Sequence, residues 1–151
     1  MTQPSVQERM NPNGMCFGCG TKNERGLQLK SFEIDDTSLE ATWAPQAHHL
    51  AFPGILNGGI IGTLLDCHST ITSWWSFLQR NPDEEPYALT AEYTIKLLKP
   101  TPVDAPVHLV ARAVDLSDRR ATIEGTLTSN GETTATSTGI FIRPRKPFAL
   151  E

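Results

Sequence analysis

The stretch from about Gly58 to about Gln79 constrains the fold more than any other part of the chain. Ile60, Ile61, Leu64, Leu65, Ile71, Trp75 and Leu78 recur at steps of three and four, the repeat of one helical face. Apolar residues also stand off that stripe, Trp74 among them. A helix that is apolar nearly all round must be covered on most of its sides. Asn81-Pro82 ends it.

The cover has to come from β structure. Before the helix, GLQLKSFEID (26–35) has extended character, and TSLEATWAP puts Leu39, Ala41 and Trp43 on alternate positions, with Asp35-Asp36 as a turn between them. After the helix, YALTAEYTIKLLKP alternates, with Leu89, Ala91, Tyr93, Ile95 and Leu97 on one face and Thr90, Glu92, Thr94 and Lys96 on the other. APVHLVARAVDL, RATIEGTLT and ETTATSTGIFI follow, with turns at Ser117-Asp118 and Asn130-Gly131; Asn-Gly between alternating runs is a strong hairpin signal. The expected order is β-β-long α-β-β-β-β, with the last four strands as an antiparallel meander. The expected fold class is α+β, a curved antiparallel sheet wrapped around one long central helix. Residues 1–15 are polar, with Pro and Asn, and are expected to be a flexible segment ahead of a single domain over 16–151.

The net charge of −4 gives no basic surface for nucleic acid. No apolar run approaches the ~20 residues of a membrane span, and MTQPSVQERMNPNG lacks the pattern of a signal peptide. Three cysteines, an odd number, suit a reducing compartment. The expectation is a cytoplasmic protein with a small-molecule or protein partner.

Two features do not belong to a plain core helix. One is its opening on Asn57-Gly58-Gly59. Asn57 is a good N-cap residue, and its side chain can take up a free N–H of the first turn or contact a ligand. Gly58 and Gly59 are poor helix formers. In a first turn their N–H groups have no intrahelical partner, and without Cβ atoms a ligand can come close. With the helix dipole this makes an oxyanion site; tight packing against a strand is the plainer reading. The other feature is Asp66. For eight residues on each side it has no acidic or basic neighbour except His68. Burying a carboxylate without partners costs several kcal/mol, so a sequence that keeps one there is expected to use it.

These motifs resemble those of the hotdog-fold thioesterases, specifically the phenylacetate-pathway-like acyl-CoA thioesterase group. The resemblance covers roughly residues 16 to 142. It rests on CFGCGTKNERGLQL, on FPGILNGGIIGTLLDC with Asp66 nine residues after Asn57, and on LTAEYTIKLLKPTPV with Thr90 ten residues before Pro100. The group usually has His where this chain has Asn57. The resemblance implies hydrolysis of an acyl-CoA thioester with no cofactor beyond the CoA of the substrate and with no metal. In this reading the Gly59 N–H polarises the thioester oxygen, and Asp66 attacks the carbonyl or activates water. Thr90 holds the water or orients Asp66. It also implies a homo-oligomer, a dimer or dimer of dimers, in which the helix start of one subunit faces the acid of the other. Gly58, His49, Arg119 and Arg120 are the expected substrate contacts, the arginines toward CoA phosphates; Arg143, Arg145 and Lys146 form a second basic cluster. Cys16 and Cys19 suggest a metal, but one C-x-x-C falls short of four ligands and Cys67 is assigned to the helix. His68, two residues after Asp66, lies on another face and is set aside as a catalytic partner. A non-catalytic acyl-CoA binder on the same fold is the alternative.

Overall fold

The structure is a computed structural model and describes residues 2–148. Its elements are α1 (Val6–Met10), β1 (Phe32–Asp35), β2 (Ser38–Trp43), α2 (Gly58–Arg80), β3 (Leu89–Leu97), β4 (Val107–Leu116), β5 (Arg120–Ser129) and β6 (Glu132–Ile142). The expected helix is present to within a residue. Asn57 caps it, its Oδ1 accepting the Ile60 N–H at 3.1 Å. One antiparallel sheet of order β1-β2-β4-β5-β6-β3 covers it, and α2 packs against five of the six strands, β2 to β6. Ile61, Leu64, Leu65, Ile71, Trp74 and Phe77 are buried from the helix side. Leu39, Leu109, Ile123, Leu127 and Phe141 are buried from the sheet side. This is the hotdog architecture that the sequence implied.

Three local expectations need correction. The strand expected over 26–35 forms only from Phe32, because Gln28 takes a positive φ of 51° that breaks the extended run. The meander of four strands is a meander of three. β3 lies beside β6 at the edge, and Pro100, Pro102 and Pro106 in the long connection to β4 deny it hairpin pairing. The simple two-face alternation of β3 also fails. A bulge between Thr90 and Glu92 shifts the register, so Thr90 faces α2 and Ile95, an odd number of residues later, also packs on the core. Leu89, Tyr93 and Leu97 are left exposed along this outer strand.

The N-terminal segment, expected to be flexible, contains α1. Ser5 and Glu8 close a capping box, with Ser5 Oγ accepting the Glu8 N–H at 3.2 Å and Glu8 Oε2 accepting the Ser5 N–H at 2.7 Å. Burial of Val6 and Gln7 holds the short helix in place. Gln7 exchanges two bonds with Ser31, at 2.9 and 2.8 Å. The Ser31 hydroxyl meets His68 Nδ1 at 2.8 Å, and His68 Nε2–H donates to the Leu39 carbonyl at 3.0 Å. This buried chain of bonds ties α1 to α2 and β2, and it gives His68 a structural task.

Candidate active site

Asp66 lies mid-helix on the flank of α2 that meets the start of β3. The bulge in β3 directs the Thr90 hydroxyl to it, and Thr90 Oγ1–H donates to Asp66 Oδ1 at 2.9 Å. Thr70, one turn on, donates its proton to the Asp66 main-chain carbonyl at 2.9 Å and sits 3.3 Å from Thr90 Oγ1. Both hydroxyl protons are then committed, so the Thr90 oxygen keeps lone pairs for a further donor such as water. Among the described residues no Lys, Arg or His pairs with the carboxylate. Burial pushes the Asp66 carboxyl above the usual carboxylate range; the Thr90 bond opposes this, and the nearby Cys16 adds to it.

Asp66 and Thr90 open into a cavity of about 230 Å³ between α1, the loop after it, α2 and the start of β3. Trp74, Ile71, Ala88 and Leu89 give it an apolar wall, Gln7, Asn11, Cys16 and Cys19 line it from the N-terminal side, and Cys67 of α2 and Phe148 near the C-terminal end complete it. Trp74 is fixed there by its indole N–H, which donates to the Ala88 carbonyl at 2.9 Å. An apolar wall beside one carboxylate and the hydroxyls of Thr70 and Thr90 suits an uncharged organic group carrying a carbonyl.

The structure brings Asp66 and Thr90 together but leaves the other expected residues outside this cavity within one chain. Asn57, Gly58 and Gly59 lie two turns back along α2, near the far end of β3, where a Cβ on Gly58 would stand 3.0 Å from Leu97 Cδ1. Gly59 is exposed. His49 is buried behind the helix start. It stacks on Trp43, takes the Gln46 N–H on Nδ1 at 2.9 Å, and accepts the Asn57 N–H on its carbonyl. Arg119 turns its guanidinium onto the Arg143 carbonyl at 2.8 and 3.2 Å, Arg143 pairs with Glu84 at 2.9 Å, and Arg120 stands exposed at the β4–β5 turn.

Sequence reasoning missed Thr70, although its spacing of four from Asp66 puts it on the same helical face. It missed Gln7 and Asn11, because the segment before residue 16 was read as flexible. It also separated Cys67 from Cys16 and Cys19, whereas the fold brings the three sulfurs together, with Cys16 Sγ 3.7 Å from Cys67 Sγ. Contacts from Cys19 and Cys67 hold the Cys16 thiol well below its usual range, and the same contacts push Cys19 and Cys67 up.

No protein-family model matches the chain, and no curated protein matches it. Solved structures do match, and they share the hotdog fold of thioesterase-superfamily proteins. A thioesterase superfamily protein from Shewanella loihica PV-4 is 28% identical with a TM-score of 0.64, over 77% of this chain and 90% of that one. The E. coli PaaI protein from the phenylacetic acid degradation operon is 17% identical with a TM-score of 0.65, over 78% and 84%. A Streptococcus mutans UA159 protein bound to acetyl CoA is 20% identical with a TM-score of 0.65, over 76% and 86%. A further thioesterase superfamily protein matches at 21% identity and a TM-score of 0.70 over 82% of this chain, which spans 60% of that protein's length.

Proposed function

We propose that the protein hydrolyses an acyl-CoA thioester to the free acid and CoA, with Asp66 as the reacting carboxylate. The observation that carries this is the Thr90–Asp66 pair, bonded at 2.9 Å at the edge of a largely apolar cavity and free of any cationic partner among the described residues. A carboxylate so placed serves as nucleophile or as general base toward water, and the spare lone pairs of Thr90 hold that water. Similarity to a protein bound to acetyl CoA supports a CoA ester as substrate.

The oxyanion donor comes from a second subunit. β3 is an edge strand with exposed Leu89, Tyr93 and Leu97, a surface that monomers rarely leave bare. Two copies pairing antiparallel through β3 about a two-fold axis near Tyr93 would bring the Leu89–Thr90 start of one strand beside the Ile95–Leu97 end of the other. Gly58 lies beside Leu97, and Thr90 follows Leu89. The same operation therefore carries the partner's helix start, with its free Gly59 N–H, toward Asp66. Asn57 holds that turn by capping it, and the N–H then points at the thioester oxygen as negative charge develops. In such a site the substrate crosses the dimer seam, and the exposed Arg120 and the neighbouring Arg119 are the chain's own candidates for CoA phosphates.

The test is release of free CoA from a panel of aliphatic and aryl acyl-CoAs by the purified chain. Turnover of at least one member, saturable in substrate, is expected. Tight binding of acyl-CoA with no turnover of any member would replace hydrolysis by a non-catalytic binding role.

A further inference from the structure

Thioester hydrolysis by Asp66 and Thr90 makes no use of the three cysteines on the same cavity. Cys16 and Cys19 belong to a C-F-G-C-G loop closed by the Gly20 N–H on the Cys16 carbonyl at 2.8 Å. Cys67 meets this loop from α2, and all three sulfurs lie within 4.8 Å of one another. The approach is built into the backbone. A Cβ on Gly18 would stand 2.3 Å from Cys67 Sγ and 2.9 Å from the Thr63 methyl, so only glycine admits the sulfur there. The loop is anchored by the Leu27 N–H on the Phe17 carbonyl at 2.8 Å and the Leu29 N–H on the Gly18 carbonyl at 3.0 Å.

The spacing suits one ion. Sulfurs bound tetrahedrally to zinc at about 2.3 Å stand about 3.8 Å apart, and Cys16 and Cys67 stand at 3.7 Å. A set of three thiolates is soft, which favours zinc over magnesium or calcium. Exposed Cys16 leaves a path of entry from solvent. We propose that Cys16, Cys19 and Cys67 bind a zinc ion, with its fourth position open to the cavity that holds Asp66. Loading the site exchanges the thiol protons for the metal and releases them to solvent, with no change of oxidation state.

The test uses the reduced full-length chain and reads metal rather than hydrolysis, so it stands or falls apart from the thioesterase reading. The chain is loaded with Zn²⁺ and freed of excess, and its zinc is measured; a second portion is titrated with Co²⁺ and followed by thiolate-to-cobalt charge-transfer absorption. One zinc per chain is expected, with absorption that saturates at one Co²⁺ per chain. Losing a hydrogen-bond partner of a metal ligand costs about 10–100-fold in affinity; Cys16→Ser removes a ligand itself and is expected to cost at least that. Cys16 is exposed, so this variant keeps the fold, which circular dichroism checks. A reduced chain that retains no zinc and gives no charge-transfer absorption overturns the proposal. So does absorption that is the same in Cys16→Ser as in the wild type.

Discussion

Lowering the pH should unfasten the protein at His68, by an amount that follows from its surroundings. His68 is fully buried, and both ring nitrogens are used in the neutral form: Nδ1 accepts from Ser31, and Nε2–H donates to Leu39. Burial, with a smaller push from His108 on β4, holds its pKa at about 4 instead of 6.5. The folded-state pKa is therefore the lower one. Between 6.5 and about 4 the unfolded chain takes up a proton that the folded chain refuses, so stability rises with pH across that window. The contribution is complete above the unfolded value and is lost as pH falls toward the folded one. At about 1.4 kcal/mol per pH unit the gap amounts to about 3 kcal/mol, a large share of the roughly 5–15 kcal/mol that holds a domain folded. Urea unfolding from neutral pH down to about 4 measures it. His68→Gln, which keeps a donor and an acceptor but does not titrate, is the reference. The wild type should lose about 3 kcal/mol more than the variant over the window. Parallel pH profiles for the two proteins would refute the assignment of His68 as a buried neutral link.

Two further outcomes follow from the site. Thr90→Val keeps the shape of the side chain but removes the bond to Asp66. A hydrogen bond to a charged group is worth about 1.5–3 kcal/mol, so kcat should fall about tenfold to a hundredfold in steady-state assays of CoA release, with KM little changed. Tyr93→Glu sets like charges face to face at the centre of the outer strand; light scattering should report a monomer of unchanged circular dichroism, and hydrolysis should be lost with the dimer.

The sequence made some elements legible and hid others for physical reasons. The helix could be read because its period is internal, and the β5–β6 hairpin because Asn130 and Gly131, at φ of 50° and 79°, favour the left-handed turn that hairpins need. The place of β3 could not be read. Alternation identifies a strand but not its neighbours, and the bulge that turns Thr90 toward Asp66 leaves no mark in the pattern. The resemblance carried by the spacing of Asp66 from Asn57, and of Thr90 from Pro100, pointed to two residues that the fold brings into one hydrogen bond. Ser5-x-x-Glu8 was a capping signal in plain view, but a helix as short as α1 is held by burial of Val6 and Gln7, which local sequence does not announce. The three cysteines were read apart because their meeting depends on a loop crossing α2 at Gly18.

The most direct test of the central claim compares the wild type with Asp66→Asn, which keeps size and hydrogen bonding but removes the charge. Turnover of the best acyl-CoA should fall by two orders of magnitude or more, about 3 kcal/mol of barrier, while acyl-CoA binding changes little. Equal turnover by the two proteins would contradict the account, because the carboxylate would then have no part in the reaction.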